Sequence, residues 1–175
     1  LGVNNLAAIA ANQPGFVPFL VNGRPLKALN QWYNKRRADL QSKLPKGQFT
    51  SHRLEILTDK RKRQIDHYLH VASRQIIDVL VTHRIGTLVI GKNDGWKQEV
   101  HLGTRTNQTF VFIPHARFIE MLTYKAQLVG ITVMVTEESH TSKCSFLDHE
   151  SIRHHAHYAG KRVKRGLFRT ATGKQ

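Results

Sequence analysis

The segment from His52 to His83 constrains this chain more than any other. Leu54, Leu57, Ile65, Leu69, Ala72, Ile76 and Leu80 recur at multiples of three or four residues. That spacing draws one apolar stripe along a long amphipathic helix. A helix of this kind buries its stripe against other elements, so the rest of the chain has to supply a layer to cover it.

The flanking segments read as such layers. Leu6 to Ala11 is small and apolar, Gln13-Pro14-Gly15 makes a turn, and Phe16 to Val21 is a second apolar run. Asn22-Gly23 is a hairpin-type turn signal, and Arg24 to Leu26 is expected to begin a third strand. Ala28 to Leu44 has helical character and stops at Pro45-Lys46-Gly47. Beyond the long helix, Thr87 to Ile90 is a wholly apolar strand, as expected where both faces are covered. Pro114 to Val129 is a second amphipathic helix, with Phe118, Met121, Leu122 and Leu128 as apolar contacts and Gly130 as its cap. Ile131 to Val135 is a β-branched strand running into Glu137-Glu138. An antiparallel front followed by strand, helix and strand predicts an α/β fold with a mixed sheet flanked by helices.

The charge balance narrows the partner. Lys and Arg number 27 against 12 Asp and Glu, a formal net charge of +15. So cationic a domain repels itself unless an anionic partner neutralises it, and polynucleotide is the usual one. No apolar run reaches the ~18 residues of a membrane-spanning helix. The basic residues gather on the first helix (Lys35, Arg36, Arg37), on the long helix (Lys60, Arg61, Lys62, Arg63), at Lys143, and in the tail (Lys161, Arg162, Lys164, Arg165). Each run reads either as a solvated face or as a phosphate-contacting surface. A single cysteine, Cys144, permits no disulfide within the chain and fits a reducing cytoplasm.

Glu137 and Glu138 follow a predicted buried strand, at the carboxyl end where α/β sheets bind ligands and metals. A carboxylate there suits Mg²⁺; two exposed loop glutamates are the alternative. His149, His154, His155 and His157 invite a metal reading, but without paired cysteines a phosphate-facing surface suits them better. Cys144 has His140 near it in sequence and nothing else of a nucleophile's surroundings, so it reads as an inert small residue.

These motifs together resemble the OrfB/TnpB proteins of bacterial insertion sequences. Leu1-Gly2-Val3-Asn4-Asn5-Leu6-Ala7 is similar to the start of the nuclease domain in that family. Val89-Ile90-Gly91-Lys92-Asn93, Trp96-Lys97-Gln98, Phe112-Ile113-Pro114 and Tyr124-Lys125-Ala126 follow in order. So do the block from Glu137 through Thr141-Ser142-Lys143-Cys144-Ser145 to Asp148 and the block from Gly160-Lys161-Arg162 to Phe168. The resemblance implies an RNase H-like (RuvC-type) core over residues 1–138, incomplete at both ends, and a basic, degenerate zinc-ribbon-like segment over 139–175. It implies a transposase or RNA-guided DNA endonuclease, related to type V CRISPR effectors, with DNA and guide RNA as partners.

In that family three carboxylates hold two Mg²⁺ ions. The first would directly precede Leu1 and the third would follow Gln175, so both are expected outside this sequence. The usual glutamate after the middle strand is replaced by Gly91. The branch resembled draws its glutamate from the Glu-Glu-Ser block, which makes Glu138 the metal-binding and catalytic candidate, with Glu137 second. The ribbon's paired cysteines are gone, so no zinc is expected. One carboxylate cannot hold two divalent ions, so these residues alone are expected to be inactive. The alternatives are a nuclease-dead RNA- and DNA-binding module and a basic RNA-associated structural protein.

Overall fold

The computed structural model describes residues 1–92, 113–164 and 167–173. β1 (Asn5–Ile9) and β2 (Phe19–Asn22) pair antiparallel, with Ala7 opposite Val21 and Ile9 opposite Phe19. α1 (Arg24–Ser42) follows at once, then α2 (His52–Thr82), β3 (Thr87–Gly91), α3 (His115–Leu128) and β4 (Thr132–Thr136). A terminal hairpin consists of β5 (Lys161–Lys164) and β6 (Leu167–Arg169), paired antiparallel.

The third front strand expected at Arg24 to Leu26 is instead the first turn of α1. Asn22-Gly23 is a helix entrance rather than a hairpin turn. The Arg24 amide donates to Asn22 Oδ1 at 3.0 Å, and the Gly23 amide donates to the Asn4 carbonyl at 2.8 Å. Pro25 then sits in the first turn, where its missing N–H leaves nothing unpaired and its fixed φ suits a helix. A Cβ on Gly23 would lie 2.2 Å from the Val3 carbonyl oxygen, so only glycine fits at this corner.

α2 keeps the promise of its stripe. All seven stripe residues are buried, with Ser73 and Ile77 beside them. The Ser51 hydroxyl caps its start, accepting from the Leu54 amide. α1 and α3 both pack on it. On the α1 side, Tyr33 and Thr58 share a hydroxyl hydrogen bond of 3.0 Å. On the α3 side, Arg117 Nε pairs with Asp66 at 2.9 Å, and Lys125 Nζ donates to the His70 carbonyl and the Ser73 hydroxyl. Burial holds the Lys125 ammonium below its ordinary pKa. Phe118, Met121 and Leu122 of α3 are core, but Leu128 is not. It is 80% exposed, while His115, Ile119 and Ala126 take the buried positions.

α2 and α3 end alike. After α2, Arg84 takes φ +53°, and the amides of Arg84 and Ile85 donate to the carbonyls of Val81 and Leu80. After α3, Gly130 takes φ +76°, and the amides of Gly130 and Ile131 donate to Gln127 and Ala126. This is the Schellman arrangement twice over, with an isoleucine following the left-handed residue each time. Each helix is thereby turned into a strand, β3 or β4. The two strands run parallel: the Thr132 amide donates to the Gly86 carbonyl at one end, and the Lys92 amide to the Thr136 carbonyl at the other.

The α/β class stands, but not the single mixed sheet. Among the described residues the strands form three two-stranded sheets, β1–β2, β3–β4 and β5–β6. The chain divides into two compact units. One comprises Leu1–Ile90 and the described part of Gly95–Met134; the other comprises Gly91, Lys92 and the described residues from Val135 onward. No helix among the described residues is long and apolar enough to cross a membrane.

Candidate nucleic-acid interface

Glu138 lies two residues beyond β4, and its carboxylate fills the space beside Gly91 at the end of β3. A Cβ built on Gly91 would meet Glu138 Oε2 at 2.8 Å and Cδ at 2.9 Å. Two parallel strands ending level, joined there by the Lys92–Thr136 hydrogen bond of 2.9 Å, bring positions 91 and 138 together. Glu137 and Glu138 are both exposed, and the Glu138 carbonyl accepts from the Thr141 hydroxyl. Among the described residues no three His, Cys, Asp or Glu side chains converge. The strand ends bring the Glu138 carboxylate to position 91.

The basic residues separate into groups. Lys35, Arg36 and Arg37 are exposed on α1, where Arg36 pairs with Asp39 at 3.0 Å. Lys60, Lys62 and Arg63 are exposed on α2. Arg61 differs from its neighbours in the run: its Nε donates to buried Asn30 at 2.7 Å, and its guanidinium lies 4.8 Å over the Tyr33 ring. Burial lowers its pKa from the ordinary value. In the second unit, Lys161, Arg162 and Lys164 are exposed along β5, and Lys143 lies 5.8 Å over the Tyr158 ring. Arg165, like Asn93, Trp96 to Gln98 and Phe112 of the motifs, lies outside the described residues.

Two acids that the sequence reading passed over hold the second unit together. Glu150 accepts from the Ser145 amide at 2.7 Å and the Ala159 amide at 2.9 Å, one on each oxygen. Asp148 accepts from the Ser145 hydroxyl and, at 3.0 Å, from the Ala171 amide. The available signal was the rarity of acids in this tail and their spacing after Ser145. The histidines make local contacts instead of converging. His140 and His154 meet edge to face at 5.8 Å, and His155 packs on Tyr158 and donates to the Ser151 carbonyl at 2.7 Å. Cys144 is buried, its thiol 3.5 Å from the Arg153 carbonyl.

Both staples act on acidity. The Ser145 hydroxyl first, then the Ala171 amide, hold the Asp148 carboxyl below the usual carboxylate range. The Ala159 and Ser145 amides do the same for Glu150. Groups depressed in the folded state add stability that is complete above the ordinary range and is lost as pH falls through their folded values. The second unit is thus expected to loosen on acidification, read as lower protection of the Ser145 and Ala159 amides against hydrogen exchange, relative to the intrinsic rate at each pH. Glu150→Gln cannot accept from both amides, since its NH₂ would face a donor. It should speed exchange at neutral pH and flatten the acid response; an unchanged acid profile would refute the staple.

Comparison with known proteins gives two family matches. Residues 1–97 match the OrfB_IS605 family, described as "Probable transposase", and residues 115–169 match the Cas12f1-like TNB domain. Among solved structures, a chain of the Cas12f1–sgRNA–target DNA complex is similar with a TM-score of 0.60 and 20% identity, over 81% of this chain and 35% of that one. A chain of a CRISPR-Cas12f ternary complex is similar with a TM-score of 0.62 and 20% identity, over 83% and 29%. Likeness at that identity concerns the fold, and this chain spans 35% and 29% of the lengths of those two. No curated protein matches.

Proposed function

Because the chain belongs to the OrfB_IS605 transposase family, we propose that it is the polynucleotide-holding core of an RNA-guided DNA endonuclease of a mobile element. The observation that carries the nuclease reading is the Glu138 carboxylate lying in the space of a side chain at position 91. A glutamate reached from the end of β4 would thus serve where a glutamate on β3 otherwise would. RNA and DNA as partners draw support from the Cas12f complexes that share the fold and from the exposed cations of α1, α2 and β5. An RNase H-like sheet is the finer fold of this reading, to which the antiparallel pair β1–β2 and the parallel pair β3–β4 would belong. Mg²⁺ is the ion this reading assigns to the longer protein, to which these residues contribute Glu138. This reading assigns no zinc to the second unit, because the paired cysteines of the family's ribbon are absent from this sequence.

The test is guided DNA cleavage by the full-length gene product. Glu138→Gln is expected to abolish cleavage and leave DNA binding intact, and Glu137→Gln to retain most of it. Gly91→Ala should reduce cleavage by pushing the carboxylate aside. Cleavage that survives Glu138→Gln would overturn the nuclease assignment. Tight binding with no cleavage by the unmodified protein would favour a module that holds RNA and DNA without cutting.

A further inference from the structure

Glu138 opens the turn that follows β4, and His140 bends its backbone by taking a left-handed φ of +63°. A residue with a side chain is uncommon there, and such conformations persist only where their surroundings hold them. Hydrogen bonds lock the turn from within. The Thr141 hydroxyl donates to the Glu138 carbonyl and the Thr141 amide to the Ser139 carbonyl, both at 2.9 Å. The amides of Lys143 and Cys144 donate to the His140 carbonyl at 2.9 and 3.1 Å. The His140 ring supplies an anchor from outside the turn. It meets His154 edge to face at 5.8 Å, and its Nδ1 lies 3.5 Å from the Tyr158 hydroxyl. Both partners lie well along the chain from β4, so the ring ties the turn to the body of the second unit.

We propose that His140 is a positioning residue for Glu138: its ring, seated against His154 and Tyr158, sets the turn, and the Thr141 hydroxyl passes that setting to Glu138. The proposal deepens the nuclease reading of Glu138 and rests on it. An acid on a strand is aimed by the ladder around it, whereas Glu138 lies past the last residue of β4 and needs a support of its own. Gly91 leaves the room into which the carboxylate reaches, and the turn decides how far it reaches. His140 and His154 thereby gain a use that is neither metal binding nor phosphate contact.

The experiment combines guided DNA cleavage by the full-length gene product with hydrogen exchange on the same protein. His154 is exposed, so His154→Ala removes the ring contact without opening the core. It should slow cleavage roughly ten- to hundredfold, the cost of a carboxylate misplaced by about 1 Å, and leave target binding unchanged. His140→Asn accepts the left-handed backbone but lacks the ring, so it should give the same loss, and the double variant no further loss. Thr141→Val should slow cleavage similarly, and Thr141→Ser, which keeps the hydroxyl, should recover most of it. Protection of the Thr141, Lys143 and Cys144 amides should fall in His154→Ala, while the Ser145 and Ala159 amides, held by Glu150, keep theirs. Full-rate cleavage by His154→Ala, additive losses in the double variant, or equal losses in Thr141→Val and Thr141→Ser would overturn the positioning role. So would a fall in protection across the whole unit, which would make the ring contact a support of the fold at large. Cleavage undiminished in Glu138→Gln would instead remove the nuclease reading on which the proposal stands.

Discussion

Raising salt from about 50 to 200 mM is expected to weaken the affinity of this chain for single-stranded DNA or RNA about a hundredfold. The figure follows from four or five phosphates neutralised, each contributing a slope of about 0.7 for single strands. The supply of cations is sufficient: Lys35 and Arg37 on α1, Lys60, Lys62 and Arg63 on α2, and Lys161, Arg162 and Lys164 on β5 are all exposed. Replacing Lys161, Arg162 and Lys164 together by Ala should lower the log–log slope by about two. Fluorescence anisotropy across a salt series measures both. A flat slope for the unmodified chain would remove phosphate contact from the account, and a net charge of +15 would then need another partner.

Phe118→Ala is expected to destabilise the first unit by about 3–5 kcal/mol, the usual cost of deleting a fully buried ring. Phe118 has no exposed surface and belongs to the cluster that joins α2, α3 and the front strands. Against a typical total of about 5–15 kcal/mol, that loss should leave the unit marginal at 37 °C. Leu128→Ala, on the same helix but exposed, should change stability by no more than about 0.5 kcal/mol. Urea or thermal unfolding distinguishes the two. Equal effects would mean that α3 presents a different face to α2.

Those two residues also mark how far the sequence could be read. Periodicity found α2 to within a residue, since seven apolar positions vote together. On α3 the vote was smaller, and Leu128 was counted with the core although the chain turns at Val129-Gly130 just past it. The helix at Arg24 was missed because Asn22-Gly23 carries the same letters as a hairpin turn, and only Pro25 argued otherwise. Arg61 was read as one of four equal cations. It lies four residues after Leu57 and four before Ile65, on the stripe itself, which is why it is half-buried and bonded to Asn30. Glu138 was legible as a strand-end acid, but its approach to Gly91 was not, because it depends on two strands ending level. The staples at Asp148 and Glu150 were hidden for a similar reason: Ser145, Ala159 and Ala171 meet them only after the tail has folded back on itself.

The matched endings of α2 and α3 carry a consequence for how such chains vary in length. Each strand is counted off from the last helical turn, five residues from Leu80 to Ile85 and five from Ala126 to Ile131. The starts of β3 and β4 are thus metered from the helices. One residue added inside either helix turns its isoleucine about 100° away and throws its strand out of step. A change of length is therefore costly inside either helix.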